Sequence, residues 1–270
     1  MPNLPYELER EIFELALRAD RQNSDLKLAL CMVARRVQIW IDLIFYEMVT
    51  VQDDHHADRF LSLVDSNIKP LAFFSAVKIL CLPSYVSAPN ACRILTACTA
   101  VEQLACWSHC VNHPEFSSLI GRLPLRRLSL ELIHLSRVPA THETWLSSLT
   151  HMYIIILVDK DILGLLPTIR RLPHLTHVAV NFRFAYVSAE HAAVLCSSCP
   201  SLRVLVILSE SYDMSPRWIE EEAINDYRVV VQSAPQDPIA DWEAPYFDLP
   251  DMWSRAEATI EVNRASIGSG

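Results

Sequence analysis

Glycine is scarce in this chain, with four in 270 residues, at Gly121, Gly164, Gly268 and Gly270. A P-loop or a dinucleotide fingerprint needs several glycines in close register so that backbone amides can approach phosphate, and four scattered ones cannot supply that. Clustered basic charge is missing as well. The chain carries 23 Lys and Arg against 32 Asp and Glu, for a net charge of -9. Its densest basic sites are the isolated pairs Arg35-Arg36, Arg126-Arg127 and Arg170-Arg171. Phosphate neutralisation needs a stripe of cations, so no nucleic-acid partner is expected. Long apolar runs are also lacking. The strongest, Met152 to Val158, is far short of a membrane span, and no charged segment followed by an apolar stretch opens the chain as a secretory signal would. The expectation is a protein of the cytoplasm or nucleus with no membrane partner. In that reducing compartment the eight cysteines read as free, buried small hydrophobes.

What is present is a repeat. Aligning the middle apolar residue of each short strand-like run gives Leu80, Leu104, Leu128, Met152, Val178 and Leu205, at successive steps of 24, 24, 24, 26 and 27 residues. Each sits in one local frame: Val77-x-x-Leu80-x-Leu82, Val101-x-x-Leu104-x-Cys106, Leu125-x-x-Leu128-x-Leu130, Leu149-x-x-Met152-x-Ile154, Leu175-x-x-Val178-x-Val180 and Leu202-x-x-Leu205-x-Ile207. Weaker versions flank them, Tyr46-x-x-Val49-x-Val51 before and Asp226-x-x-Val229-x-Val231 after. Frame and spacing together predict an α/β fold of the leucine-rich-repeat-like solenoid kind, with parallel strands and outer helices, over residues 47–232. The asparagine that usually follows the strand in such repeats is missing, so the solenoid is expected to be irregular. Helices or turns are predicted over 89–100, 114–121, 141–149, 161–171 and 189–199, the fourth closed by Pro173. Outward-facing strand residues, Lys78, Gln103, Arg127, His151, His177 and Arg203, would line a concave surface and are the candidate contacts for an unknown target protein.

Residues 1–46 differ in character. Leu4, Leu8, Ile12 and Leu15 fall at helical spacing behind Pro5, a second short helix runs from Ser24-Asp25 to Leu30, and a third carries Val37, Trp40, Ile41 and Ile44 on one face. Three short helices are too few for a stand-alone core, so they should pack on the solenoid end or meet a partner.

The segments Leu4-Pro5-Tyr6-Glu7-Leu8, Ile12-Phe13-Glu14-Leu15-Ala16 and Asp25 to Leu30, running into Met32-Val33-Ala34-Arg35-Arg36-Val37 and Trp40, resemble the F-box and F-box-like proteins, particularly the fungal groups with irregular repeats behind the box. The resemblance implies a substrate-recognition subunit of a cullin-RING (SCF-type) ubiquitin ligase. It implies that Leu4, Pro5, Leu8, Ile12, Leu28, Val33 and Trp40 dock on a Skp-type adaptor subunit while the repeats select the target. The other reading of Leu4, Leu8, Ile12 and Trp40 is an internal cap sealing the first repeat. The other reading of the whole chain is a repeat scaffold with no part in ubiquitin transfer.

Residues 233–270 read as a C-terminal capping segment, with Trp253 and Ile260 covering the last repeat's apolar edge. Reactive chemistry is not expected, and the chain reads as a non-enzyme without cofactor. No serine sits in a Gly-x-Ser-x-Gly elbow, and Leu146 stands where a zinc-protease helix opening at His142-Glu143 needs its second histidine. Asp159 and Asp161 suit a helix N-terminus. Cys196-x-x-Cys199 ends a helix instead of opening one after a strand. Cys106, His109, Cys110 and His113 are the densest set of metal-ligand types. Cys106, however, falls on a core strand position, so no metal is expected there.

Overall fold

The computed structural model describes residues 4–66, 71–135, 147–156, 164, 166–182, 189–209 and 226–267. The chain opens with three helices, α1 (Tyr6–Ala19), α2 (Ser24–Val33) and α3 (Arg35–Phe45). Their small core is Leu17, Leu30, Val37, Trp40, Ile41 and Ile44, with Phe13 and Leu26 packed against it. The α2 cap is Asn23, one residue earlier than expected, whose Oδ1 accepts from Leu26 N–H at 2.9 Å. Arg36 forks onto the Glu9 carboxylate at 2.7 and 3.0 Å, tying α3 back to α1.

The leucine frames then form a single sheet. Strands β1 (Met48–Thr50), β2 (Ile79–Leu82), β3 (Gln103–Cys106), β4 (Arg127–Glu131), β5 (His151–Ile156), β6 (His177–Phe182), β7 (Val204–Ser209) and β8 (Val229–Ser233) lie in chain order. Every neighbouring pair is parallel. The register sets Val49, Leu80, Leu104, Leu128, Met152, Val178, Leu205 and Val229 side by side, so the six anchors and both flanking frames occupy one row.

One backbone device accompanies six of the seven steps, all but the last. The carbonyls of Glu47, Lys78, Glu102, Arg126, Thr150 and Thr176 each accept two successive N–H groups at the start of the next strand. Where an asparagine row is absent, Ser108, Ser148 and Cys199 donate to the carbonyls of Pro83, Leu125 and Leu175 in the preceding unit.

Parallel neighbours need a crossover between them, and the crossovers carry α4 (Asp54–Asp65), α5 (Leu71–Phe74), α6 (Ala88–Ala97), α7 (Glu115–Gly121), α8 (Leu132–Leu135), α9 (Leu166–Ile169) and α10 (Ala189–Ser198). These pack on one face, where Leu80, Leu82, Leu104, Cys106, Leu128, Leu130 and Met152 meet Phe74, Ile94, Leu95, Phe116 and Ile120 in the main core. The helix expected over 161–171 is only the short α9, and Leu163 lies outside the described residues, as do Asp159, Asp161 and most of the stretch 141–149.

The other face is covered by the chain's own C-terminal segment. After β8 come α11 (Pro238–Glu243), a 3-10 turn (Ala244–Phe247) and α12 (Met252–Ile267). Asp237 caps α11 by accepting from Ile239 and Ala240 N–H at 3.0 Å, and Asp251 caps α12 by accepting from Ser254 N–H at 2.9 Å. Trp242 and Ile239 pack on Cys81 and Ala105 of β2 and β3. Met252, Trp253, Ala256 and Ile260 pack on Tyr153, Ala179, Val206, Leu208 and Val230 of β5 to β8. The segment also reaches the N-terminal helices, where the Tyr246 hydroxyl donates to Ile44 O at 3.0 Å and Arg21 donates to Tyr246 O. This corrects the expectation of a cap on the last strand's edge, because Trp253 and Ile260 lie across the sheet. The physical cause is that a strand's alternate residues are apolar here too, and a sheet apolar on both faces must be covered on both. Among the described residues no helix is long and apolar enough to cross a membrane.

Candidate interaction surfaces

The N-terminal helices divide the predicted docking residues into two groups. Leu4, Leu8, Ile12, Leu28 and Val33 are all exposed, from 48 % at Leu8 to 66 % at Leu28, and Pro5 is exposed with them. Leu15, Met32 and Ile39 extend the apolar surface, Met32 at 86 % exposure. On α1 the residues at positions 8, 12 and 15 share one stripe, while Phe13 and Leu17 on the other side face the core. Leu4, Leu8 and Ile12 therefore do not seal the first strand. Trp40 belongs to the other group. It is 3 % exposed, its ring meets Tyr6 edge-on at 5.0 Å, and its indole N–H donates to the Tyr6 hydroxyl at 3.2 Å. It is a core residue of the module with no face to offer a partner.

The predicted target-binding row is resolved by the strand register. Residues level with one another are Ile79, Gln103, Arg127, His151, His177 and Val204. Lys78 and Arg203 precede that row by one residue, and a one-residue slip in a period-two strand moves a side chain off the face. They stand instead on the rim. There Lys78 meets Glu102 at 3.3 Å, Arg126 meets the same carboxylate at 3.6 Å, and Arg203 is exposed.

Within the row, Gln103 is half-buried, and Arg127, His151 and His177 lie under the C-terminal segment instead of lining an open surface. The Arg127 guanidinium pairs with Asp251 at 3.0 Å and lies over the Trp242 ring at 5.1 Å. Burial lowers the Arg127 pKa, with Asp251 opposing. The His151 and His177 rings stack at 4.1 Å, 8° from parallel, and Trp253 meets both edge-on at 5.4 and 5.6 Å. His177 Nε2 also meets Glu257 at 3.1 Å. Burial pushes His151 down to about 3, helped by the neighbouring His177 and Arg127. Burial lowers His177 as well, against Glu257. The stack is consequently neutral at physiological pH.

The cysteines are all free thiols, and seven of the eight are buried. Burial pushes Cys98 and Cys196 up to about 12 and raises Cys81 and Cys199. That is the opposite of an activated nucleophile. The spacing-based set Cys106, His109, Cys110 and His113 does not assemble as such. His109 turns to Glu131 at 3.6 Å, while His113 joins Cys92 of α6 and Glu115 of α7, whose ligand atoms all lie within 4.8 Å of one another. Linear spacing could not show this, since Cys92 comes from the preceding unit.

No family model matches the chain, and no curated protein matches it.

Proposed function

We propose that the chain is an F-box-like, non-enzymatic substrate-recognition subunit of a cullin-RING ubiquitin ligase. In this reading residues 1–46 dock on a Skp-type adaptor, and a degenerate leucine-rich-repeat solenoid presents the target site. The observation that carries it is the coincidence of two independent sets. Of the seven residues that the family resemblance marks for docking, six are exposed in the terminal module, Leu8, Ile12, Leu28 and Val33 on its helices and Leu4 and Pro5 just before α1. Apolar stripes of this kind on a small helical module suit helix-in-groove recognition, in which a few anchors supply most of the binding energy. The seventh, Trp40, acts by holding α3 against Tyr6. The repeat reading is supported by the single row of anchors and by the carbonyl pattern that recurs at six of the seven steps. Because the C-terminal segment occupies the second face, target contacts fall to the rim, where Lys78 and Arg203 remain accessible.

The test is binding of the purified full chain to a Skp-type adaptor–cullin complex by calorimetry and pull-down. Wild type should bind. Replacing Leu8, Ile12 and Leu28 together by serine should weaken binding at least ~100-fold, since each truncated anchor costs on the order of 1 kcal/mol or more. Absence of wild-type binding, under conditions in which an established F-box protein binds, rejects the adaptor role and leaves a repeat scaffold outside ubiquitin transfer.

A further inference from the structure

Three side chains with metal-ligating atoms, Cys92, His113 and Glu115, converge between two successive units of the sheet, with Cys110 beside them. Cys92 comes from α6, Cys110 and His113 from the loop after β3, and Glu115 from the first turn of α7. His113 Nδ1 lies 3.2 Å from Glu115 Oε1. The Cys92 sulfur lies within 4.8 Å of ligand atoms of both His113 and Glu115. Cys92 and Cys110 are buried, whereas the His113 and Glu115 side chains are 30 % and 52 % exposed, which gives the cluster a sealed floor and an open mouth. A cavity of about 430 Å³, lined by Cys110, His113, Pro114, Phe116 and His134, opens beside it as an entry path.

We infer that Cys92, His113 and Glu115 form a binding site for a zinc-class divalent cation that clasps α6 to α7, with Cys110 alongside it. The donor set argues for that class. Calcium and magnesium take oxygen ligands, while sulfur with imidazole and a single carboxylate suits a borderline-soft ion in tetrahedral geometry. The geometry argues the same way. Ligand bonds of about 2.0–2.3 Å place tetrahedral donors roughly 3.3–3.8 Å apart. The Cys92, His113 and Glu115 atoms, all within 4.8 Å of one another, need to close by about 1.5 Å at most. A cysteine used only to fill a core needs no imidazole and carboxylate on its sulfur. Filling the site releases the thiol proton to solvent, so affinity falls as pH falls. The bound ion joins two neighbouring units and raises the unfolding temperature.

The experiment uses chelator-treated full-length protein and the metal alone. Zinc titrated against a chromophoric chelator should give one tight equivalent. Cobalt at the same site should show thiolate-to-metal charge transfer and the visible bands of a tetrahedral ion. His113→Ala and Glu115→Gln alter exposed side chains and leave the core intact, and each should weaken binding by about tenfold or more. Cys92→Ser should remove much of the charge-transfer band, while Cys196→Ser, at the other end of the sheet, should change nothing. No stoichiometric binding by folded wild type overturns the assignment. So does binding undiminished in His113→Ala and Cys92→Ser, or binding lost only in Cys196→Ser.

Discussion

Two apolar surfaces of this molecule meet opposite fates. The second face of the sheet carries Tyr153, Ala179, Val206, Leu208 and Val230, and the chain's own last helix lies on it with Trp253, Ala256 and Ile260. The outer side of α1 and α2 carries Leu8, Ile12, Leu28 and Met32, and these remain exposed. The covered face combines its apolar contacts with ion pairs, Arg127 with Asp251 and His177 with Glu257, while Arg127 Nε stays without a hydrogen-bond partner among the described residues. In the N-terminal module Trp40 donates to Tyr6 on the inner side and Arg36 pairs with Glu9, while the apolar stripe itself stays exposed. An apolar surface completed within the chain serves stability, and one left open is available to a second molecule.

The comparison breaks most sharply at Asp251. Asp251→Ala strands the buried Arg127 charge and removes the α12 cap, so urea unfolding should show a loss of about 4 kcal/mol. Changing the pair together, Arg127→Met with Asp251→Leu, should recover most of it, because replacing both buried partners by apolar groups is often neutral. Trp253→Ala, which opens a cavity against the histidine stack, should cost about 3 kcal/mol by the same measurement.

Acid reads the covered face through His151. The folded-state pKa of His151, about 3, lies below its unfolded value. Below about pH 6.5 the unfolded chain therefore takes up a proton that the folded chain refuses. The stability tied to a neutral His151 is complete above that pH. It declines as pH falls toward about 3, by at most about 1.4 kcal/mol per pH unit. The charged groups facing the stack are Arg127, Arg203, Asp251 and Glu257. His151→Asn should flatten the profile, and unfolding followed from pH 7 to pH 4 reads it. The smallest effect belongs to the open face: Ile12→Ser should change unfolding by no more than about 0.5 kcal/mol. A larger loss would show that α1 is packed in solution and is no docking surface.

The eight-stranded order was legible because a repeat writes the same side chain into the same place at each step, and a parallel ladder then aligns those places. The anchor row and the weak flanking frames at Val49 and Val229 follow from period alone, as does the helical character of residues 6–45. Periodicity carries no information on what a surface meets. It marked Arg127, His151 and His177 as facing outward, and the fold laid α12 over them. It placed Lys78 and Arg203 one residue off the row, because near-fixed spacing leaves the pleat phase free until strands pair. It grouped Cys106 with His113 by proximity along the chain, whereas stacking one unit on the next brought in Cys92. The sequence by itself determined the local elements and their order, which depend on short-range pattern. Only the tertiary structure decided which apolar faces are covered and which donors converge, because those outcomes depend on contacts between residues far apart in the chain.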